Sequence, residues 1–359
     1  MRQYAIVTLS YWAFTLTDGA LRMLVILHFH QLGYRPLEIA TLFLFYELFG
    51  VVTNLFGGLL AARLGLSTTL IAGLLLQLVA LSMLLADPSL LTVAYVMVAQ
   101  ALSGIAKDLS KLSAKSSVKL VVGKEEGRLY RWVSALTGSK NALKGIGFFM
   151  GGALLATVGF QVAIASMIAM LSLVAIVTTL SLDHHTGRST FIPKFNDLWS
   201  KSTKINQLSA ARLFLFGSRD VWFVVALPVF LQAELGWSNI AVGTLLASWV
   251  IGYGVIQALA PAITGIRSGR HPDGRTTLLW GFALAIIPPS IVFALGVDMA
   301  PEPTVVVGLL LFGVIFAVNS AVHSYLIVSF AANDGVSLDV GFYYMSNAAG
   351  RLLGTLLSG

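Results

Sequence analysis

The sequence predicts an all-α polytopic membrane protein, and two observations lead to this fold class. Of the 359 residues, 57% are hydrophobic and 11% are charged, with a mean hydropathy of +0.84, whereas soluble domains carry about 25% charged residues. Apolar runs of about 20 residues, the length that crosses a bilayer as a helix, recur along the whole chain. The chain has no cysteine, which excludes disulfides and thiolate metal sites, and no cofactor is expected.

Eleven membrane spans are predicted in order along the chain. Their approximate bounds are residues 5–30, 37–61, 68–86, 90–112, 130–157, 160–182, 209–234, 239–264, 276–297, 304–330 and 338–359. The first span carries Asp18 and Arg22, unlike the apolar core of a cleavable signal. Because the chain ends at Gly359 inside an apolar run, we expect a twelfth helix beyond the given residues.

The basic residues predict the orientation in the membrane. With the N-terminus in the cytoplasm, the cytoplasmic segments hold fourteen Lys and Arg residues, and the outer segments hold only Arg35. Such a bias is typical of cytoplasmic loops. It explains the net charge of +7 without nucleic acid, and it predicts a multi-pass protein of a bacterial inner membrane with a cytoplasmic N-terminus.

Two six-helix halves are predicted around a polar linker. Residues 1–182 form the first half, 183–208 a cytoplasmic linker, and 209–359 the second half with five of its six helices. Two stretches repeat at similar offsets. Leu32-Gly33-Tyr34 matches Leu235-Gly236-Trp237, and Ser139, Lys144, Gly147 and Gly152 match Ser346, Arg351, Gly354 and Gly359. His184 and His185 in the linker are interpreted as a solvated pair rather than a metal site.

Parallel six-helix repeats resemble the major facilitator superfamily. The loop after the second span adds to this resemblance, because Gly58, Arg63 and Gly65 match the superfamily's loop motif of Gly, three residues, Asp-Arg-x-Gly. Ala62 stands where the motif has Asp, so the charge relay assigned to that motif is not expected here. The resemblance implies alternating access between two halves.

Twelve charged residues fall within the predicted spans, eight basic and four acidic. Each would cost about 2.5–3.5 kcal/mol at the bilayer centre without a partner. They must therefore face one another, water or a substrate. Spans three, six and nine carry none and are predicted to lie on the outside of the bundle. The excess of four positive charges predicts an anionic substrate.

Spacing along the helices selects the site candidates. Residues four apart share a helix face, which predicts an Asp18–Arg22 pair and aligned lysines at 107 and 111 and at 140 and 144. Adjacent Arg219 and Asp220 are expected to have different partners. The substrate-binding candidates are Arg22, Lys107, Lys111, Lys144, Arg219 and Arg351. The proton-coupling or charge-pair candidates are Asp18, Glu47, Asp108 and Asp220.

Three further residues are candidate polar liners of the cavity: Asn319 and His323 on one face of span ten, and Asn347 beside Arg351 on span eleven. A structural, hydrogen-bonded role is an equal alternative for them, as snorkelling to headgroups is for Lys111 and Lys140. Glycines 145, 147, 151 and 152 are interpreted as close helix contacts rather than a phosphate loop.

One subfamily is resembled closely along nearly the whole chain. The stretches Tyr11-Trp12-Ala13-Phe14-Thr15-Leu16-Thr17-Asp18-Gly19-Ala20-Leu21-Arg22, His28-Phe29-His30-Gln31-Leu32-Gly33-Tyr34 and Gly104-Ile105-Ala106-Lys107-Asp108-Leu109-Ser110-Lys111 resemble organoarsenical efflux permeases of the ArsJ type. The resemblance implies a monomeric exporter of 1-arseno-3-phosphoglycerate, functionally linked to a glyceraldehyde-3-phosphate dehydrogenase, that confers arsenate resistance. It implies no enzymatic activity, and no catalytic constellation stands out in the residues.

Two alternatives stay open at this stage. The first is a proton-coupled transporter of another organic anion, such as a sugar phosphate or a carboxylate. The second is a membrane scaffold or sensor without transport, which has no need for so many charges within its spans.

Overall fold

Twelve α-helices form the bundle in the computed structural model, which describes residues 2–122, 126–183, 187–190, 194–198, 202–223, 226–265 and 271–358. They are α1 (Arg2–Gln31), α2 (Pro36–Thr41), α3 (Leu44–Leu64), α4 (Leu66–Met83), α5 (Val93–Val122), α6 (Glu126–Ser181), α7 (Thr203–Phe223), α8 (Ala226–Ala233), α9 (Asn239–Ile263), α10 (Gly274–Gly296), α11 (Pro301–Phe330) and α12 (Val336–Ser358). The predicted all-α fold is thus confirmed. His184, His185 and Gly359 lie outside the described residues.

Three predicted spans differ from the helices in their continuity. The second span is divided between α2 and α3. The fifth and sixth spans meet in α6 at Gly159, whose backbone (φ 75°, ψ 174°) is non-helical and disfavoured for any residue with a Cβ. At about 1.5 Å per residue, α6 is long enough to cross a bilayer twice.

Two helices are longer at one end than predicted. The fourth span was expected to end near residue 112, but α5 continues to Val122 and buries Lys115 and Lys119, which had been assigned to a loop. Likewise, α7 begins at Thr203, inside the predicted linker. Hydropathy ends a predicted span at the first cluster of charges, whereas the helix continues as long as its buried face finds a partner.

Seven helical segments within the described residues are long and apolar enough to cross a membrane. The charged helices α1, α5 and α12 are not among these seven. They have 30, 30 and 23 residues and carry the in-membrane charges at Asp18, Lys107 and Arg351. The outer position predicted for the ninth span is confirmed, since Leu284 is the buried residue of α10 while Leu279 and Phe282 are largely exposed.

Glycines bring helices together within each half. A Cβ on Gly147 of α6 would lie 2.6 Å from the carbonyl oxygen of Leu16 on α1, and a Cβ on Gly354 of α12 would lie 2.5 Å from that of Gly217 on α7. Since Gly147 and Gly354 are matched in the sequence repeat, the same packing of α6 on α1 and of α12 on α7 follows from the same small residue. This confirms the interpretation of Gly147 as a close helix contact, whereas a Cβ on Gly152 would meet only Leu27 Cδ1 at 3.7 Å, so Gly152 is not such a contact.

The two halves touch at one end of the bundle, where α3, α5 and α11 end and α12 begins; we call it the linker end. There α3 packs on α12, with Ser337 Oγ donating to the Gly58 carbonyl at 2.9 Å. Helix α6 packs on α9, where a Cβ on Gly254 would lie 2.6 Å from the Gly138 carbonyl oxygen. Lys119 Nζ of α5 donates to the Ser329 carbonyl of α11 at 3.1 Å.

Candidate functional site

Glu47 is the point at which ion pairs join the two halves. Its Oε1 accepts from Arg22 Nη2 of α1 at 3.2 Å and from Arg351 Nη2 of α12 at 3.1 Å. All three side chains are only half-buried. The predicted pairing of Asp18 with Arg22 is wrong, because Arg22 reaches across to α3 instead of along its own helix.

Asp220 on α7 forms the second carboxylate of this network. Its Oδ2 accepts from Arg351 Nε at 3.2 Å, and its Oδ1 accepts from Arg219 Nε at 2.5 Å. The expectation that Arg219 and Asp220 have different partners is therefore wrong. The long arginine side chain folds back to its neighbour, while Asp220 is fully buried and Arg219 remains partly accessible.

Asp108 on α5 holds the two predicted lysines of that helix. Lys111 Nζ donates to Oδ1 at 2.5 Å, and Lys107 Nζ lies 3.8 Å from Oδ2. The structure thus brings Lys107 and Lys111 together, as their spacing predicted. With one carboxylate between two ammonium groups, this part of the site keeps an excess positive charge.

Tyr46 organises the α1 side of the site, although sequence reasoning did not select it. Its hydroxyl donates to Asp18 Oδ1 at 2.7 Å. Lys107 Nζ lies 3.8 Å from the centroid of its ring, and the central carbon of the Arg22 guanidinium lies 4.7 Å from the same centroid. A cation over an aromatic face is attracted by the ring quadrupole. The sequence signal that could have identified Tyr46 is its position directly before Glu47 in an apolar span.

A second polar network lies around the buried Arg212 of α7. Its Nε donates to Asn347 Oδ1 at 2.8 Å and its Nη1 to Ser320 Oγ at 3.0 Å. The network continues from Ser320 to Tyr253 and Gln257 on α9, and from there to Asn141 on α6. Helix α9 contributed no residue to the predicted site, because none of its polar side chains is charged.

The predicted liners of α11 and α12 are placed differently from one another. Asn347 is half-buried and accepts from Arg212. Asn319 and His323 are buried, and Asn319 Oδ1 and His323 Nδ1 have no hydrogen-bond partner among the described residues. Asn347 therefore has the structural, hydrogen-bonded role that was the alternative for the liners. Asn319 and His323 each keep one polar side-chain atom without a hydrogen-bond partner among the described residues.

A layer of fully buried side chains separates the ionic site from the linker end. Lys115 is 2% exposed and donates to Thr137 Oγ1. The Tyr130 and Tyr325 rings pack with centroids 4.8 Å apart and are almost fully buried. By contrast, the side chains of Glu47 and Arg351 are 28% and 31% exposed. Access to the ionic site is therefore from the end opposite the linker.

Comparison with known proteins agrees with this architecture. The family model described as Major Facilitator Superfamily matches residues 6–225, more than half of the chain. The chain belongs to this superfamily. It is a multi-pass membrane protein of a transporter fold. No curated protein matches it.

Two solved structures share the major facilitator fold with this chain. The human organic anion transporter MFSD10 (TETRAN) is 15% identical, with 99% of this chain and 92% of that one covered, at a TM-score of 0.72. The proton:xylose symporter XylE bound to 6-bromo-6-deoxy-D-glucose is 12% identical, with 98% and 87% covered, at a TM-score of 0.71. At these identities the likeness is one of fold.

The superfamily's loop motif lies at the contact between the halves. Ala62, at the position of the motif's acid, is buried with Leu59, Leu198 and Leu338. Its carbonyl accepts from the backbone N–H of Ser189 in the linker at 2.8 Å. In this major facilitator protein an apolar contact and a linker hydrogen bond therefore occupy the place of the motif's carboxylate.

Proposed function

We propose that this chain exports an organic anion by alternating access, and that the anion is an organoarsenical such as 1-arseno-3-phosphoglycerate. The observation that supports an anion is the composition of the half-buried site, in which Arg22, Lys107, Lys111, Arg219 and Arg351 share the carboxylates of Glu47, Asp108 and Asp220. Desolvated cations gain most from charge-assisted bonds to phosphate or carboxylate groups.

The arsenical itself is supported by the sequence resemblance to organoarsenical permeases. Such a substrate carries a phosphate and an arsenate ester, with about three to four negative charges by analogy with phosphate ionisation. In a cell whose interior is negative by about 100 mV, expelling a trianion gains about 7 kcal/mol. Export by uniport is downhill under these conditions.

The orientation proposed for this function places the N-terminus and the linker end in the cytoplasm of a bacterium. The described structure is then closed towards the cytoplasm, with its ionic site accessible from outside. The fold is similar to that of human MFSD10, which is described as an organic anion transporter, the same broad class of substrate.

The test is an arsenate-sensitive bacterium that expresses the protein with and without a glyceraldehyde-3-phosphate dehydrogenase partner. We expect resistance and lower arsenic accumulation only when both proteins are present. Without the dehydrogenase, arsenate is not converted to the organic anion, so that strain is the matched control. Equal accumulation in all strains would contradict the proposed substrate.

A proton-coupled transporter of another organic anion is the second candidate. Four carboxylates lie in or beside the site, and Asp18 is buried with a tyrosine hydroxyl as its partner. Such groups are suited to proton relay in transporters. Competition by sugar phosphates and carboxylates for transport in vesicles, measured with and without a pH gradient, separates this candidate from the first.

A further inference from the structure

Two lysines of the ionic site have no ion-pair partner in the described part of the chain. Lys140 and Lys144 are one turn apart on α6, so their side chains share a helix face, and both are half-buried. Among the described residues, neither makes a hydrogen bond or a contact with a carboxylate. The other cations of the ionic site, Arg22, Lys107, Lys111, Arg219 and Arg351, differ from them, because each contacts a carboxylate.

The surroundings of this lysine pair are themselves cationic. The charged neighbours of Lys144 include Arg22, Lys107 and the acid Glu47. Those of Lys140 include Lys111 and Arg351, and the acid Asp18 is near both lysines. Asp18 is already engaged by the Tyr46 hydroxyl at 2.7 Å.

The internal repeat matches Lys144 with a cation that does have carboxylate partners. Lys144 in the first half is matched by Arg351 in the second half. Arg351 contacts two carboxylates, Glu47 and Asp220, at 3.1 and 3.2 Å. The first half therefore has a cation at the equivalent position, but no carboxylate of the described residues lies within ion-pair distance of it. Holding a partly buried cation without a counter-charge is costly, and ionisable groups of this kind mark substrate pathways.

We propose that Lys140 and Lys144 bind the tetrahedral dianionic group of the substrate, a phosphate or arsenate ester, and so set the substrate class. This proposal rests on the proposed function, in which the substrate is an anion. Lysines bind phosphate as point charges. Two of them, with no carboxylate to displace, favour a dianion over the single charge of a carboxylate. The paired arginines then bind the remainder of the molecule.

Thermal unfolding of the purified protein without ligand is the first measurement. In K140Q and K144Q an unpaired cation is removed, so we expect Tm to be unchanged or higher than in the wild type. K111Q is the matched control on α5, because it leaves the buried Asp108 with only Lys107, 3.8 Å away. Its Tm is expected to fall. A fall of Tm in K140Q and K144Q like that in K111Q would mean that these lysines have partners, and would overturn the proposal.

Calorimetric titration is the second measurement, with 3-phosphoglycerate, inorganic phosphate and glycerate as probes. We expect K140Q and K144Q to bind 3-phosphoglycerate about tenfold more weakly or worse, since each loses one charge-assisted bond. K140R and K144R keep the charge and most of the affinity. Glycerate, which lacks the phosphate, is expected to bind weakly and equally to the wild type and the variants.

The outcomes separate the two proposals. Wild-type protein that binds none of the three probes would overturn the anionic substrate, and with it this site. Wild-type binding of 3-phosphoglycerate that K140Q and K144Q leave unchanged would overturn only the lysine site, and the proposed function would stand.

Discussion

At the scale of single residues, Glu47 has the most consequential contacts. One carboxylate oxygen accepts from an arginine of each half, Arg22 at 3.2 Å and Arg351 at 3.1 Å. An anionic substrate that binds the same arginines must compete with this carboxylate. Glu47 is therefore the protein's own counter-ion for these two arginines, and its contacts join the halves beyond the linker end.

Replacement of Glu47 by Gln tests this arrangement. The amide keeps the shape but loses the charge, and the hydrogen bonds of charged groups contribute about 1.5–3 kcal/mol each. Because Glu47 is 28% exposed, we expect the lower end of that range, which lowers Tm by about 2–4 °C. The measurement is thermal unfolding in detergent. Glu234→Gln, at an exposed position, is the control and should leave Tm unchanged.

Partners of charged residues were the least predictable feature at this scale. Spacing along one helix correctly grouped Lys107 with Lys111. It failed for Asp18 and Arg22, since the partners of these residues, Tyr46 and Glu47, are on a neighbouring helix. A single sequence shows which face of its helix a residue occupies, but it does not show which other helix packs against that face. Tyr253 and Gln257 were missed because they carry no charge.

At the scale of helices, the contact of α1 with α6 depends on Gly147. A Cβ there would lie 2.6 Å from the Leu16 carbonyl oxygen and 3.0 Å from the Ala20 nitrogen, which are backbone atoms that cannot move aside. The same helix offers a matched position, because a Cβ on Gly152 would meet only Leu27 Cδ1, at 3.7 Å.

Alanine at these two glycines should have opposite effects. We expect G147A to destabilise the protein by about 1–3 kcal/mol, as overpacking does. We expect G152A to stabilise it by about 0.5–1 kcal/mol, because alanine loses less conformational freedom in a helix than glycine. Thermal unfolding of the two variants beside the wild type checks the signs. Equal destabilisation by both would contradict the described packing of α1 on α6.

Helices were predictable where hydropathy alone defined them. The eighth, ninth and tenth spans correspond to α9, α10 and α11 within a few residues. The break between α2 and α3 and the extension of α5 to Val122 were not predicted. These features depend on packing between elements, which the order of apolar residues does not encode.

At the scale of the whole molecule, the linker joins the two halves at their contact. Ser189 donates from its backbone to Ala62 of the first half, and its hydroxyl bonds Asp334 Oδ1 of the second half at 2.7 Å. Thr190 donates to the same carboxylate. These hydrogen bonds hold the pKa of Asp334 below its usual range. Opening of the linker end during alternating access requires them to break.

Replacement of Asp334 by Asn should loosen the linker. We expect faster hydrogen exchange of residues 187–190 near neutral pH in D334N than in the wild type. Because the pKa of Asp334 is depressed in the folded protein, the stabilisation is present above the usual Asp pKa of about 3.9 and is lost as the pH falls through the folded value. The difference between the two proteins should therefore vanish in acid. Asp298→Asn, an exposed acid before α11, is the control.

The two-half architecture was predicted from the repeat and the polar linker, whereas the conformation was not. The matched glycines of α6 and α12 pack as the repeat implies. Which end is closed depends on contacts such as Tyr130 with Tyr325, whose rings are far apart in the sequence. No periodic pattern marks such contacts, because they form in one state of the transport cycle.

The central claim is that the ionic site moves an organic anion across the membrane. The most direct measurement uses proteoliposomes that enclose the dehydrogenase with glyceraldehyde-3-phosphate, NAD and arsenate, and follows the release of arsenic. The account predicts release by the wild type that requires the dehydrogenase, and loss of release in K107Q and R351Q. Release that persists in both variants, or that does not need the dehydrogenase, would contradict it.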